Sequence, residues 1–491
     1  MLGVEPPRLT VLTEVEATHP RARALVPTAP VTLVAVRAPD VSALLRRLGT
    51  LEAEPGAALA RARRGQVEGA GPAPLHVGLV AADAAGLRAE IEACRRAIGT
   101  AARGPAELTT PRGSALTGRP LARAGSVAFM YPGAFSAYPG VGRDAFRLFE
   151  QSLAGMAALT GDPAGAFAVE RLYPSFSGRP TAREIAAAER VLADEPLAVM
   201  SASMSYSVLF TRVLRDVFGV QPDLAFGYSL GESSMLRSLG VWDERDADAR
   251  MAALHDSALF RTRLSGPLDA VREYWTRQLD AAGTGWDVVV VLAEPEAVEA
   301  ALAGERGTWV SIVNGPREVV VCGDPDGCAK LVARLGCEHV RMPYRQALHA
   351  PPAETEVAEF VRLNRNRSTP VDRPVFLSAA SRRPLVLEQE SVARRLSEMA
   401  VRRLDFPALV ERAYAAGARV FVEVGPGAML TRLVGAILEG REHVAVPVDR
   451  RGVDAQTSLV RLLSRLHAHH VPLDLAGWGP GASTGATIGG G

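Results

Sequence analysis

The sequence predicts an α/β protein with more than one domain, and three patterns support this fold class. Strand-like and helix-like segments alternate between Thr32 and Gly99. A short apolar strand runs into the turn Gly227–Gly231, after which a helix can continue. Between Trp286 and Pro343 the elements follow the order βαββαβ. Strands that alternate with helices in this way are typical of α/β units.

Length and composition predict a large soluble protein. The chain has 491 residues and is 48% hydrophobic, which predicts about three domains. The 55 basic and 54 acidic residues nearly cancel, so charge favours neither nucleic acid nor an anionic membrane as a partner. We find no signal peptide and no apolar run long enough to span a bilayer, so we expect a cytoplasmic protein. The cysteines lack C-x-x-C spacing, which favours a reducing compartment over a metal site or disulfides: Cys94, Cys322, Cys328 and Cys337.

The pentapeptide Gly227–Gly231 carries the strongest chemical signal, because it has the form G-x-S-x-G. A helical pattern from Tyr206 to Phe218 and a buried strand, Leu224–Phe226, precede it. Such a turn exposes the serine hydroxyl and aims backbone N–H groups at a developing oxyanion. The motif therefore predicts acyl chemistry at Ser229, although glycine and serine are also common in ordinary turns.

The amino-terminal segment predicts a small α/β unit. Its strands and helices are expected at Thr32–Val36, Val41–Leu51, Leu75–Val80 and Leu87–Ile98. The segment Gly104–Ala124 is rich in Pro, Gly, Thr and Arg and is predicted to connect this unit to the next one.

The βαββαβ order predicts a ferredoxin-like subdomain. The strands are expected at Val288–Leu292, Trp309–Val313, Val319–Cys322 and His339–Met342, and the helices at Pro295–Ala303 and Pro325–Leu335. Buried strands are also expected at Ser126–Tyr131 and Val420–Val424. The tail from Gly477 onward is predicted to be flexible because of its Gly, Ser and Thr content.

A reactive serine needs a base, and His349 is the candidate with a distinctive position. It directly follows the predicted return of the chain from the ferredoxin-like unit. Position by itself leaves a structural role equally open. His467, His469 and His470 cluster near a helix end, where we expect them to cap the helix or face solvent.

Five motifs together resemble the malonyl-CoA:acyl carrier protein transacylase family, which includes acyltransferase domains of fatty acid and polyketide synthases. They occur in the family's order over roughly Ser126 to Leu475, and Tyr228 departs from the histidine of G-H-S-x-G-E. The matching stretches are Tyr131–Gly133, Gly227–Glu232, Asn314–Pro316 with Gly323-Asp324, Ala347–His349 and Glu423–Gly427. Tyr228 and the stretches Pro139–Gly142 and Leu259–Pro267 most resemble acyltransferases of polyunsaturated fatty acid synthases and of related iterative or enediyne-type synthases.

The resemblance implies an α/β-hydrolase-like large subdomain (126–285 and 344–476) with an inserted ferredoxin-like small subdomain (286–343). A linker domain like that between ketosynthase and acyltransferase (1–125) precedes the large subdomain, and a flexible tail (477–491) follows it.

The resemblance also implies roles for individual residues. Ser229 is the expected nucleophile and His349 its base, oriented by a carbonyl that aligns with Met399. The backbone N–H groups of Leu230 and Ala134 are the expected oxyanion hole.

The substrate side departs from the family. Its malonyl-binding arginine aligns with Ser257, so either Arg261 or Arg263 replaces it, or the acyl group carries no carboxylate. Each arginine could equally be an ordinary surface residue. Asn314 and Tyr228 are the other expected substrate-binding residues.

The function implied by the resemblance is transfer of a malonyl or other short acyl group from acyl-CoA to an acyl carrier protein. Neighbouring synthase domains such as a ketosynthase are the other expected partners, and no cofactor, metal, nucleic acid or membrane is expected. A hydrolase or thioesterase of the α/β-hydrolase type is the alternative, but it would place an acidic residue between the serine and a late histidine. A catalytically idle docking domain is a third interpretation.

Overall fold

The computed structural model describes residues 31–69, 71, 73–101, 107–157, 159–174, 181–279 and 285–476. The first 30 residues of the predicted linker domain and the predicted flexible tail lie outside this part of the chain. The described residues form three sheets of four, five and five strands.

The first sheet belongs to the predicted linker domain and has the order β1-β2-β4-β3, with antiparallel pairs. The elements are β1 (Thr32–Ala38), α1 (Val41–Ala53), α2 (Pro55–Ala62), β2 (Leu75–Ala81), α3 (Ala84–Ala101), β3 (Glu107–Thr109) and β4 (Ala115–Thr117). Strands β3 and β4 lie where a connecting segment was predicted. Each spans three residues, which is too short to show a two-residue alternation in sequence.

The chain from residue 126 to 279 forms the first part of the large subdomain. Its strands and helices are β5 (Ser126–Tyr131), α4 (Arg143–Leu148), α5 (Glu150–Ala157), α6 (Pro163–Ala166), α7 (Val169–Leu172), α8 (Ala182–Ala193), α9 (Pro196–Arg212), β6 (Leu224–Gly227), α10 (Gly231–Ser238), α11 (Ala247–Asp256) and α12 (Asp269–Tyr274). Single π-helical turns extend α9 at Val213–Val217 and α12 at Trp275–Leu279. A third π-helical turn, Leu259–Arg263, lies between α11 and α12.

The predicted ferredoxin-like unit is present. It consists of β7 (Asp287–Val291), α13 (Pro295–Ala301), β8 (Thr308–Gly315), β9 (Glu318–Gly323), α14 (Pro325–Leu335) and β10 (His339–Arg341). Its antiparallel strands have the order β10-β7-β9-β8, and a fifth strand from later in the chain pairs parallel with β8. The alternating valines of β7 and β9 pack on α13 and α14 in a core of their own.

The chain then returns to the large subdomain. The elements are α15 (Val357–Asn364), β11 (Val375–Leu377), α16 (Gln389–Val401), β12 (Leu404–Asp405), α17 (Phe406–Ala415), β13 (Ala418–Glu423), α18 (Met429–Ile437), β14 (Val444–Pro447) and α19 (Ala455–Ala468). Strand β12 is the fifth strand of the small sheet, so a piece of the predicted large subdomain completes the smaller one.

The large subdomain is built on a parallel sheet of order β11-β6-β5-β13-β14. Strands β5, β6 and β13 are buried almost throughout, as expected when helices cover both faces of a parallel sheet. In open sheets of this kind ligands bind beyond the carboxyl ends of the strands, where the strand order reverses. The loops after β5, β6 and β13 all leave the sheet at that end.

One helical stretch, Pro196–Val217, is long and apolar enough to cross a membrane, contrary to the expectation from sequence. However, 78% of its most apolar window is buried inside the protein, against the sheet and its neighbouring helices. It is therefore a core helix of a soluble domain.

Helix α19 docks the linker sheet onto the large subdomain. Ser464 Oγ donates to the carbonyl of Gly78 at 3.1 Å. A Cβ on Gly78 would lie only 2.4 Å from Ser464 Oγ, so the contact requires glycine at this position. The His76 ring stacks between His467 and His470, with centroids 4.6 and 3.8 Å away. His469 is the C-cap residue of α19, as the capping prediction allowed. The prediction that these histidines could face solvent was wrong, because the linker sheet covers the end of α19 and leaves His467 and His469 buried and His470 half-buried.

Burial lowers the pKa of His467 to about 3, so we expect linker docking to weaken in acid. Above pH 6.5 the imidazole is neutral in both folded and unfolded states. Below pH 6.5 the unfolded chain binds a proton that the folded protein resists, so stability falls by about 1.4 kcal/mol per pH unit for this fully buried group. Thermal unfolding between pH 7 and about 5 measures the slope. His467→Gln should reduce the slope and leave the part due to His76 and His470, whose pKa values burial also lowers, whereas the exposed His339→Gln should leave the slope unchanged. Equal slopes for H467Q and the wild type would contradict the assignment.

Candidate active site

Ser229 stands at a sharp turn between β6 and α10, with φ of 54° in the left-handed region. The flanking glycines make this turn possible. A Cβ on Gly227 would lie 2.0 Å from the Glu232 nitrogen, and one on Gly231 would lie 2.0 Å from the Tyr131 carbonyl oxygen. The backbone strain at Ser229 is held by this close packing, which presents the hydroxyl at the carboxyl edge of the sheet.

His349 lies 120 residues later in the chain and meets the serine there. Its Nε2 is 2.9 Å from Ser229 Oγ, and the residue is 4% exposed. Its backbone also has a positive φ, 55°, and its N–H donates to the carbonyl of Ala400 at 2.9 Å. The loop that leaves the small subdomain is therefore fixed against the end of α16.

Two backbone carbonyls determine the tautomer of His349. Its Nδ1 lies 2.8 Å from the Met399 oxygen and 3.1 Å from the Arg402 oxygen. A carbonyl can only accept, so Nδ1 carries the proton, and Nε2 accepts from the Ser229 hydroxyl. The orienting carbonyl expected at Met399 is therefore present. The Arg402 carbonyl was not anticipated from sequence.

The same contacts tune the basicity of the imidazole. The carboxyl end of α16 has unpaired carbonyls and a partial negative charge, which stabilise an imidazolium when one forms. Burial acts in the opposite direction and lowers the pKa of His349 below its usual 6.5, despite the two carbonyl contacts. The side chain is therefore neutral near pH 7 and able to take the serine proton.

The two residues predicted to supply the oxyanion hole, Leu230 and Ala134, lie beside Ser229. Leu230 begins the turn into α10, and Ala134 follows β5; both residues line the same cavity as Ser229 and His349. Ser203 on α9 fixes the Ala134 loop, since its Oγ donates to the Ala134 carbonyl at 2.9 Å and accepts from the Ala137 N–H at 3.1 Å. The arrangement suits an oxyanion hole with one donor from each loop.

Tyr228 and Asn314, predicted to bind substrate, instead bond to each other across the two subdomains. The Tyr228 hydroxyl donates to Asn314 Oδ1 at 2.7 Å, and Asn314 Nδ2 donates to Glu318 at 2.9 Å. Arg432 on α18 pairs with the same glutamate at 2.8 Å. Burial raises the pKa of Tyr228, so its hydroxyl keeps its proton and stays a donor. Neither residue is among the described residues that line the serine cavity.

The cavity beside Ser229 has a volume of about 130 Å³. Apolar side chains from α9, α11, α15 and α16 form most of its wall. Its lining includes Met200, Met204, Trp242, Met251, Leu254, Phe260, Leu348, Phe360, Leu363, Leu396 and Met399, together with the polar residues Ser233, Arg237, Arg250, Asn364 and Asn366.

The structure does not bring Arg261 or Arg263 to this cavity. Arg261 is exposed, and Arg263 binds Glu273 and Glu356, both at 2.6 Å. They lie on a single turn, Leu259–Arg263, that buries Phe260 against the cavity and directs its arginines outward. Ser257, at the aligned position, donates to Glu359 at 2.7 Å.

The two arginines that do line the cavity, Arg237 and Arg250, were not among the residues predicted from sequence. Arg237 lies on α10 at the i+4 position after Ser233, so its place on the cavity face could have been read from the helical pattern that continues past Glu232. Arg250 lies on α11, and nothing in its sequence context marks it. Its Nη1 donates to the Asp243 carbonyl at 2.8 Å, and its guanidinium lies 5.6 Å from the centre of the Trp242 ring.

Comparison with known proteins agrees with this geometry. No protein-family model matches the chain. Relatives in sequence include a component of the polyunsaturated fatty acid synthase of Thraustochytrium sp., 28% identical over 403 residues, which cover 79% of this chain and 19% of the relative. Erythronolide synthase EryA3 of Saccharopolyspora erythraea is 29% identical over 411 residues, 82% of this chain and 11% of the relative. The chain thus spans a fifth or less of the length of these synthases.

Among solved structures, the acyltransferase domain from module 8 of the salinomycin polyketide synthase is similar with a TM-score of 0.66. The match covers 91% of this chain and 98% of that domain at 21% identity. The chain has the fold of a polyketide synthase acyltransferase domain. The resemblance predicted from the five motifs is confirmed, and the acyltransferase fold accounts for the large α/β subdomain and the inserted ferredoxin-like subdomain.

In this acyltransferase fold, the Tyr228 hydroxyl should stabilise the junction of the two subdomains. We expect Tyr228→Phe to lower the free energy of unfolding by about 1 to 3 kcal/mol, because Asn314 Oδ1 loses its donor in a buried site. Urea unfolding measures the change. Tyr414→Phe is the matched control, since its hydroxyl bond to the Glu442 carbonyl is exposed and should matter by less than about 0.5 kcal/mol. Equal losses in both variants would contradict this role.

The lowered pKa of His349 predicts the pH dependence of serine acylation. Acylation needs the neutral imidazole, which is already the major form at pH 6.5 because the pKa lies below that value. The single-turnover rate constant should therefore rise less than about twofold from pH 6.5 to about 8.5 and fall only in more acidic buffer. Stopped-flow or quenched mass spectrometry measures it. A rate that climbs about tenfold between pH 6.5 and 7.5 would mean that the pKa is raised instead.

Proposed function

We propose that the chain is an acyltransferase that moves an acyl group from an acyl-CoA thioester, through an ester on Ser229, to the thiol of an acyl carrier protein. The observation that carries the proposal is the hydrogen bond between Ser229 Oγ and the unprotonated Nε2 of a buried histidine. A hydroxyl activated in this way, on a strained turn beside two backbone amides, suits nucleophilic attack on a carbonyl.

Acylation begins when the Ser229 Oγ attacks the thioester carbonyl carbon while its proton moves to His349 Nε2. The carbonyl oxygen becomes an oxyanion, which the N–H groups of Leu230 and Ala134 stabilise. The carbon–sulfur bond then breaks, and the departing coenzyme A sulfur takes the proton from Nε2. The acyl group remains as an ester on Ser229, and His349 is neutral again.

Deacylation follows the same path in reverse with a different thiol. The carrier thiol gives its proton to His349 Nε2, and its sulfur attacks the ester carbonyl. When the bond to Ser229 Oγ breaks, the serine oxygen takes that proton. Every step uses groups of the chain, the acyl-CoA thioester and the carrier thiol, so the proposal requires no cofactor.

Partners and location follow from the same proposal. The relatives are multidomain synthases, and we propose a carrier protein and adjoining synthase domains such as a ketosynthase as partners, in the cytoplasm. Hydrolysis, the thioesterase alternative, would replace the carrier thiol by water. It lacks the support of the fold comparison.

The first test of the proposal is covalent labelling. Incubation with a panel of acyl-CoAs should add one acyl mass to the wild-type chain and none to Ser229→Ala, because transfer between two thiols through the enzyme requires an acyl-enzyme. His349→Ala should slow acylation by at least about 100-fold, the usual effect of losing a general base. Intact-mass spectrometry after quenching measures both.

Asp216→Ala, a change outside the Ser229 cavity, serves as a control and should acylate normally. An undiminished adduct on Ser229→Ala would overturn the proposal. An acyl-enzyme that water discharges as fast as carrier protein would favour the thioesterase alternative.

A further inference from the structure

Methionine is concentrated around the serine cavity. The chain has 10 methionines, and Met200, Met204, Met251 and Met399 line this one space. Met200 and Met204 are one turn apart on α9, so they present neighbouring side chains to the same wall. Methionine is unbranched and polarisable, and it adapts to apolar ligands of irregular shape. The wall is therefore suited to hydrocarbon.

The rest of the lining near the catalytic pair is also apolar. Phe260 and Phe360 pack edge to face with ring centres 6.1 Å apart, and both reach the cavity. Leu348 adjoins His349, and Leu396 lies one turn before Met399 on α16. The part of an acyl chain beyond the ester carbonyl on Ser229 would thus contact apolar side chains.

The volume limits the length of that chain. An apolar cavity of about 150 Å³ accommodates a six-carbon ring such as benzene. The cavity here has a volume of about 130 Å³, which suits four to six carbons. An acetyl group would leave most of this volume unfilled, and unfilled apolar space loses contact energy.

The two arginines of the lining adjoin its Trp242 side. Arg237 and Trp242 also line the separate cavity that holds Asp216 and Asp243. Arg250 lies over the Trp242 ring and donates to the Asp243 carbonyl. Apolar side chains supply most of the remaining wall.

We propose that the acyl group carried on Ser229 is a neutral, saturated or unsaturated hydrocarbon chain of four to six carbons rather than malonyl. The inference rests on the proposed function and names its substrate class. A malonyl carboxylate would be buried against a lining that is mostly methionine, leucine and phenylalanine, where Arg250 already bonds to the Asp243 carbonyl and lies over Trp242, so burial of the charge opposes binding. Each methylene of a hydrocarbon chain instead gains burial.

The experiment compares acyl-CoAs as single-turnover donors to the whole chain, with the Ser229 adduct measured by mass spectrometry. The donors are acetyl-, butyryl-, hexanoyl-, malonyl- and adipyl-CoA. Each added methylene should raise the specificity constant by about fourfold, so hexanoyl-CoA should exceed acetyl-CoA on the order of 100-fold. Hexanoyl-CoA should exceed malonyl-CoA by a similar factor. Adipyl-CoA has the same six carbons with a terminal carboxylate and should react more slowly than hexanoyl-CoA.

A cavity-filling variant tests the same idea from the protein side. Met204→Trp should lower the hexanoyl-to-acetyl ratio at least about tenfold, because the larger side chain occupies space that the chain needs. Met429→Trp, at an exposed methionine on α18, is the matched control and should leave the ratio unchanged. The wild-type donor profile decides the question even if Met204→Trp fails to fold.

The outcomes separate the inference from the function beneath it. A Ser229 adduct that forms faster with malonyl-CoA than with hexanoyl-CoA overturns the inference and leaves the acyltransferase function standing. Faster reaction of adipyl-CoA than of hexanoyl-CoA also overturns it, and would assign Arg237 and Arg250 to a distal carboxylate. No adduct at Ser229 with any donor overturns both.

Discussion

The hydrogen bond between Ser229 and His349 is the interaction around which the rest of the molecule is arranged. Both residues occupy the left-handed backbone region, which costs on the order of 1 to 3 kcal/mol for each residue without a compensating environment. Close packing at Gly227 and Gly231 holds the first, and the carbonyl end of α16 holds the second. The sheet and its turn thus hold the strained backbone of Ser229, and the end of helix α16 holds that of His349.

Backbone groups stand beside Ser229 and His349 where a Ser-His-Asp arrangement has side chains. Carbonyls of Met399 and Arg402 orient His349 where a carboxylate would do so in a Ser-His-Asp arrangement. They stabilise the imidazolium as partial charges, so the imidazole can be buried and neutral without a buried anion beside it. The amides predicted to form an oxyanion hole are also backbone groups, so that role does not depend on the side chain at position 134.

The site depends on the junction of two subdomains. His349 is placed by the loop that leaves the ferredoxin-like unit, and the Tyr228–Asn314–Glu318 bonds join that unit to the serine turn. Strand β12 extends the small sheet from the same stretch of chain that supplies the Arg402 carbonyl. A shift of one subdomain would therefore move His349 relative to Ser229, which couples domain packing to the geometry of this pair.

The sequence by itself determined the elements with strong local signals: the βαββαβ unit, the Ser229 turn and the collinear motifs that point to His349. These depend on periodicity, glycine geometry and spacing, which are local in the chain. The tertiary structure decided what depends on distant segments meeting: the second orienting carbonyl at Arg402, the outward direction of Arg261 and Arg263, the partnership of Tyr228 with Asn314, and the methionine-lined cavity. Its walls come from five helices between residues 196 and 401, and no local pattern encodes which of their faces meet.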